Sequence, residues 1–330
     1  MNYRSYEELS ELIKNNLTIL QSRHFDLIVG NSKDSMVAVY IIALYLNKKC
    51  CDIKSYLDNF PLKTGITRKA KEDIKYPREA KSILLVEDII KSDGFLENSI
   101  QYIIQKSSCN ITTLCLYGAR ELEHKVDMIL EYINKPISFE WNIFQQQFTS
   151  SACFDIDGVL CIDPTYEQDD DGEIYKSFLL DAPLLFKPNN RIKYLVTSRL
   201  EKYRTETETW LRRCNIEFES LIMLDLPSIE ERQRLGINAI YKADAYKKSG
   251  QHLFFESSRS EAINIFEITG KPVYCVDTNE MFSKEMGNPK VIKQKESKIT
   301  FSQKIKQKLF LLPKPVYYPL RAIYRKLKIG

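Results

Sequence analysis

The 330-residue sequence predicts an α/β protein: two doubly wound parallel-sheet domains followed by a basic amphipathic tail. Short apolar runs alternate with helix-length segments, as strands buried on both faces of a parallel sheet require. Two of those runs end in close pairs of acids, Glu87–Asp88 and Asp155-x-Asp157, and open parallel sheets bind ligands at such strand ends. Charge is divided unevenly: residues 290–330 carry twelve Lys/Arg and one acid, a net of +11, so the preceding 289 residues carry −7 within a total of +4.

At 44% hydrophobic and 28% charged, the chain has material for packed cores, which excludes a disordered polymer. No run of about 18 apolar residues is present to span a bilayer. The opening MNYRSYEELSELIKNN lacks an apolar stretch, so no signal peptide is expected. Eight cysteines (50, 51, 109, 115, 153, 161, 214, 275) never form C-x-x-C and sit mostly inside apolar runs. They are expected to be reduced core residues of a cytoplasmic protein, not a disulfide frame or zinc site.

Taken in order, Leu9, Leu12, Ile13, Leu17 and Leu20 recur at helical spacing over 6–22, and FDLIVG (25–30) reads as a buried strand. Met36–Leu46 is an apolar helix, SILLVED (82–88) a second buried strand, and a helix after Gly94 leads to a strand at Ile111–Leu116. A second series starts at ACFDIDG (152–158) and continues through IKYLVTS (192–198), SLIMLD (220–225), HLFFES (252–257) and PVYCVD (272–277). The boundaries expected are 1–145, 146–289 and 290–330.

In the first domain, ILLVEDIIKSDGFLENSI (83–100) delivers Glu87 and Asp88 at a strand end, and a short loop, Lys91–Phe95, then enters a helix. Two acids can accept hydrogen bonds from a sugar diol, and a loop at a helix N-terminus offers N–H groups to a phosphate. This segment resembles the phosphoribosyl diphosphate (PRPP) motif of type I phosphoribosyltransferases. The resemblance puts Glu87 and Asp88 on the ribose hydroxyls and Lys91, Ser92, Asp93 and Gly94 on the 5-phosphate. Asp93 and Phe95 depart from the usual Gly and Thr. VGNSKDS (29–35) stands where that family keeps its diphosphate loop, with Gly30 for turning and Ser32, Lys33 and Ser35 as donors. GITRKAK (65–71) would close over the diphosphate, with Arg68 and Lys69 as donors. No general base stands out; Asp58 and Asp26 are the candidates.

In the second domain, FDIDGVL (154–160) sets Asp155 and Asp157 at the end of a buried strand. Two such carboxylates can share Mg²⁺ while one attacks phosphorus and the other moves protons. The motif resembles the haloacid dehalogenase (HAD) phosphatases. The resemblance makes Thr197 (or Ser198) the phosphoryl-binding hydroxyl, Lys242 the charge-neutralising lysine, with Lys247 and Lys248 as rivals, and Glu256 the third metal ligand beside Asp155 and Asp157. Gaps of about forty residues on either side of Thr197 leave no room for a large cap. The acidic stretch Tyr166–Glu173 is expected as a loop beside an open site.

Residues 290–330 interleave basic residues with aliphatic and aromatic ones, broken by Pro313, Pro315 and Pro319. This is the pattern of an interfacial membrane anchor, so an anionic membrane surface is the expected partner and nucleic acid is not. The whole chain resembles the phosphoribosyltransferase–phosphatase pairs that install ribofuranose in bacterial surface polysaccharides. That resemblance implies transfer from PRPP to a lipid-linked glycan acceptor at the inner face of the cytoplasmic membrane, then removal of the 5-phosphate. A nucleobase-salvage transferase with a nucleotide phosphatase, or a non-catalytic PRPP-binding module, are the alternatives.

Overall fold

The structure, a computed structural model, describes residues 1–63, 74–90 and 94–284. The first part of the chain runs β1 (Asn2–Arg4), α1 (Tyr6–Asn15), α2 (Leu17–Ser22), β2 (Leu27–Gly30), α3 (Met36–Leu46), β3 (Lys49–Asp52), α4 (Ile53–Asp58), β4 (Ser82–Ile89), α5 (Phe95–Lys106), β5 (Asn110–Gly118), β6 (Met128–Tyr132) and β7 (Ile137–Phe139). The second runs β8 (Ala152–Phe154), α6 (Glu173–Asp181), β9 (Ile192–Leu200), α7 (Arg204–Arg213), β10 (Phe218–Leu224), α8 (Ile229–Leu235), α9 (Asn238–Ser249), β11 (Leu253–Glu256), α10 (Arg259–Thr269), β12 (Val273–Cys275) and β13 (Glu280–Phe282).

Two separate larger sheets result. The first has the order β3-β2-β4-β5-β6 and is parallel throughout. The second has the order β10-β9-β8-β11-β12-β13 and is parallel except for the antiparallel edge strand β13. Both are covered on two faces, which is why their strands are apolar without alternation. In the first, Ile28, Leu84 and Val86 enter one core while Leu27, Val29, Ile83 and Leu85 enter the opposite one. In the second, Ala152, Phe154 and Phe255 face one core and Cys153 and Phe254 the other. The expectation of two parallel-sheet α/β layers holds.

Local chemistry sets the element ends. Ser5 and Glu8 form a reciprocal capping box that starts α1. The helical pattern over 6–22 divides into two helices at Asn16, whose side-chain amide donates to Leu12 O. The strand expected over 152–158 stops at Phe154, although Asp155 N still donates to Phe255 O, and Gly158, at φ 71°, then turns the chain. A Cβ at that position would also collide with Ser257. Gly30, by contrast, is needed for room: a Cβ there would meet Met36 at the start of α3.

One feature lay below the reach of hydrophobic periodicity. The three-residue strands β1 and β7 pair in parallel, Asn2 with Ile137 through Arg4 with Phe139. Tyr3 on β1 belongs to the core of the second sheet, and its hydroxyl donates to Asn279 O. The segment that follows β7 likewise sends Ile143 and Phe144 into that second core, with Phe144 stacked on Phe186 at a centroid distance of 4.4 Å.

Candidate functional site

Both larger sheets reverse their strand order at one place, and a cavity opens beyond the strand ends at each. In the first sheet β2 leads outward to β3 on one side and β4 leads to β5 and β6 on the other. The cavity at this switch point measures about 610 Å³ and is lined by Asn31, Ser32, Lys33, Asp34, Glu87 and Asp88, with Asn142, Gln145, Gln146 and Gln147 on the facing wall.

Glu87 is fixed by neutral donors. Asn31 Nδ2 donates to its Oε2 and Ser32 Oγ to its Oε1, both at 2.5 Å. Asp88, one residue on, is buried with its Oδ1 accepting only from the amide of Ile89, at 2.9 Å. Burial, the hydrogen bond and charge of Glu87, and the charge of Asp34 push the Asp88 carboxyl up to about 8. Among the described residues no lysine or arginine forms an ion pair with either carboxyl.

The loop after β2 is more committed to itself than its sequence suggests. Ser32 Oγ serves Glu87 while accepting from Ser35 N, and the buried Ser35 hydroxyl donates to Ser32 O. Of the three expected phosphate donors, only Lys33 keeps its side chain clear, largely exposed and 3.9 Å from Asp34. Asn31 Oδ1 is buried at the cavity with no hydrogen-bond partner. Gly94 takes φ 78° immediately before α5, a conformation that suits glycine. Lys91, Ser92, Asp93 and the 65–71 loop lie outside the described residues. Neither suggested base serves: Asp26 accepts from the amides of Lys81 and Ser82 at the entry to β4, Asp58 pairs with Lys54 at 3.0 Å, and neither lines the cavity.

In the second sheet the switch point falls between β8 and β11, and the cavity there measures about 660 Å³. Asp155, Asp157, Thr197, Lys242 and Glu256 all line it, brought from β8, β9, α9 and β11. Lys242 is buried and donates to Asp155 Oδ2 at 2.6 Å, Glu256 Oε2 at 2.7 Å and Glu261 Oε2 at 2.8 Å. Burial alone would discharge this lysine, but the charges of Asp155, Glu256 and Glu261 hold its pKa well above the ordinary value. Three carboxylates on one ammonium leave an excess of negative charge. Glu256 is accordingly pushed up to about 8 by burial, by Asp155 and by Glu261, against the pull of Lys242. Lys247 and Lys248 face elsewhere; Lys248 pairs with Asp244 on the surface.

Thr197 Oγ1 accepts from Arg199 N at 3.2 Å, and Ser198 Oγ is buried without a partner, so both hydroxyls named for phosphoryl contact stand at the cavity. Two residues of this site escaped the sequence reading. Glu261 completes the Lys242 cluster from α10, and Arg199 clamps Asp157. The guanidinium is fully buried and donates from Nε to both Asp157 oxygens, at 3.2 and 3.0 Å, and from Nη2 to Oδ1 at 2.6 Å. Burial would raise the Asp157 carboxyl, but the Arg199 charge and hydrogen bonds outweigh it and hold the group below the usual carboxylate range. Asp163, exposed at the rim, is pushed up to about 6 by partial desolvation and by Asp157, Asp155 and Asp277.

The acidic stretch is a loop only as far as Gly172, after which Glu173 starts α6. Asp171 accepts from Lys202 and Tyr203, and Asp169 pairs with Arg232, fastening the loop beside the cavity.

The donor chemistry of this cavity fits Mg²⁺ in part. Its acids present hard oxygens in excess of the cations facing them, and Asp155 and Glu256 share one side of the site. Asp157, expected as a ligand with them, does not join them. Both Asp157 oxygens are committed to Arg199, and among the described residues no three acid, His or Cys side chains converge as a metal cage.

No family model matches the chain, and no curated protein matches it either. Solved structures do. The chain is similar to a xanthine-guanine-hypoxanthine phosphoribosyltransferase from Helicobacter pylori, at 17% identity and a TM-score of 0.34, over 43% of this chain and 92% of that one. It is similar to a purine phosphoribosyltransferase from Pyrococcus horikoshii Ot3, at 18% and 0.31, over 42% and 92%. An orotate phosphoribosyltransferase from Aeropyrum pernix follows at 13% and 0.27, over 38% and 70%.

Proposed function

We propose that this chain is a bifunctional enzyme that transfers ribose 5-phosphate from PRPP to a glycan hydroxyl and then removes the 5-phosphate. The observation that carries the reading is the presence, in one chain, of two acid-lined cavities at two topological switch points, each with different charge partners. The first offers adjacent carboxyls beside a Ser/Asn/Lys loop, suited to a ribose diol and a diphosphate. The second offers a buried carboxylate against a lysine, suited to attack on phosphorus.

In the first step Glu87 and Asp88 accept the ribose hydroxyls, an acceptor oxygen bonds to C1, and the C1–O bond to diphosphate breaks. Inversion at C1 of α-configured PRPP gives a β-ribofuranosyl product. In the second, Asp155 attacks phosphorus, and the P–O bond to the ribose 5-oxygen breaks with its electrons leaving on that oxygen, which takes a proton from water. The aspartyl-phosphate so formed is hydrolysed by water to free phosphate and Asp155. Lys242 neutralises charge, and Thr197 or Ser198 holds a phosphoryl oxygen. Asp157 is the side chain assigned to proton transfer, and Arg199, which contacts both its oxygens and keeps it ionised, disfavours proton donation to the leaving oxygen. Asp155 and Glu256 are the side chains that would hold Mg²⁺, which supplies charge neutralisation to the phosphoryl group when bound.

Among the described residues no helix is long and apolar enough to cross a membrane. The basic tail, outside those residues, supports attachment at the cytoplasmic face of the membrane. Truncation after Met286 should abolish sedimentation with anionic liposomes, and equal sedimentation of the two forms refutes that anchor.

Offering Mg²⁺–PRPP with glycan acceptors, with nucleobases or alone, and measuring diphosphate release, tests the transfer. Release with glycan acceptors, lost in the double variant Glu87→Gln/Asp88→Asn, is the expected result. Release with nucleobases only would replace this reading by the salvage one, and binding without release would leave a PRPP-binding module.

A further inference from the structure

The transfer step needs a base for the acceptor hydroxyl, and the first cavity narrows the choice. Among the described residues that line it, the ionisable ones are Lys33, Asp34, Glu87 and Asp88. Glu87 has both oxygens occupied by Asn31 and Ser32. Asp88, buried and beside Glu87, is assigned with it to the ribose hydroxyls. Lys33 is a cation. Asp34 remains.

Its setting is unusual. Asp34 Oδ2 accepts from Asn142 Nδ2 at 2.8 Å, across 108 positions of sequence. Asn142 is itself buried, and its Oδ1 accepts from Gln146 Nε2 at 2.6 Å. Both ends of the Asn142 amide are therefore fixed, which sets its orientation without ambiguity. Asn142 sits between Ile143 and Phe144, which are packed in the core of the second sheet, and the stacked aromatic pair Phe139–Trp141 on its other side. The carboxylate on the first sheet's loop is thus held by an amide anchored in rigid structure. Its second oxygen, Oδ1, has among the described residues only the distant Lys33 ammonium at 3.9 Å. Its charge reaches Asp88, the residue assigned to the ribose.

We propose that Asp34 is the general base of the transfer reaction, positioned by Asn142, and that the acceptor hydroxyl lies between Asp34 and the amide wall of Gln145, Gln146 and Gln147. This inference rests on the transfer reading. The acceptor O–H proton passes to Asp34 Oδ1, the freed electron pair forms the bond to C1, and diphosphate leaves with the electrons of the broken C1–O bond. Amide side chains both donate and accept, which matches the hydroxyls of a sugar.

The test uses the full chain with Mg²⁺–PRPP, methyl glycosides as acceptors, and azide. Asp34→Asn should lower glycoside formation by about 10²- to 10⁴-fold, the usual weight of a general base, with PRPP affinity unchanged. Azide needs no deprotonation, so the same variant should form ribosyl azide 5-phosphate at the wild-type rate. A merely structural role for Asp34 would slow both reactions alike. Asn142→Ala, which keeps the carboxylate but frees it, should lower glycoside formation by about tenfold and leave the azide reaction intact. Wild-type glycoside formation by Asp34→Asn overturns the proposal, as does failure of azide in a variant that binds PRPP normally. A wild type that makes ribosyl azide but no glycoside overturns the hydroxyl acceptor and its base while sparing PRPP activation. A wild type that makes neither overturns the transfer reading itself.

Discussion

The two cavities solve the same electrostatic problem in opposite ways. Each gathers acids at a parallel-sheet switch point, where burial penalises charge. In the first, the donors that Glu87 and Asp88 meet among the described residues are neutral, and Asp88 is driven toward its protonated form. In the second, the acids meet buried cations: Lys242 for Asp155, Glu256 and Glu261, and Arg199 for Asp157. The difference teaches what sets the charge of a buried acid. Where no cation pairs with the acids, burial dominates and Asp88 is pushed toward its protonated form; where Arg199 clamps Asp157 that carboxyl stays ionised, while burial still raises Asp155 and Glu256 against the pull of Lys242.

The largest expected effect comes from breaking the built-in cation. Lys242→Met strands three buried or half-buried carboxylates, and urea unfolding at pH 7 should show a loss of about 3–5 kcal/mol together with loss of phosphatase activity. Arg199→Met strands Asp157 alone, so the loss should lie near the lower end, about 3 kcal/mol. An Arg199→Met protein as stable as wild type would mean that the clamp on Asp157 carries no weight in the fold.

The first cavity predicts the reverse sign. Asp88 binds its proton in the folded protein up to about pH 8, whereas an unfolded Asp releases it near pH 4. Between those values the folded state holds the extra proton, so the Asp88 contribution to stability falls as pH rises through the window. Asp88→Asn should therefore be more stable than wild type at pH 9, by about 1–3 kcal/mol because Glu87 shares the titration, and the gap should close towards pH 4. Thermal melts across that range check it, and a constant gap contradicts it.

Much of this was legible in the sequence, and the illegible part has a common cause. Strands such as Ile83–Val86 and Phe154 declare themselves by unbroken apolar runs, and the resemblance of FDIDGVL to the HAD phosphatases singles out Asp155, Thr197, Lys242 and Glu256, which the structure brings to one cavity. What escaped was the choice of partners. Arg199 is the one charged residue in the strand run YLVTSRL, and a charge there is a signal for a carboxylate partner. Glu261 gave no such signal, because it resembles any acid in the first turn of a capped helix. The Asp34–Asn142 contact joins residues 108 positions apart, and β1 and β7 are too short to show a period. Tertiary placement decides all of these, and local pattern carries none of it.

The central claim is the division of labour between the two cavities, and one variant tests it most directly. Asp155→Asn keeps the size of the side chain but removes the nucleophile, which costs several powers of ten in rate. Transfer at the first cavity does not involve Asp155 and should continue. With Mg²⁺–PRPP and a competent glycan acceptor, mass spectrometry should show this variant accumulating a product heavier than the wild-type product by one phosphate. Adding wild-type protein should convert that product to the neutral riboside. If Asp155→Asn instead yields the same dephosphorylated glycan as wild type, Asp155 is not the nucleophile and the two-site account is wrong.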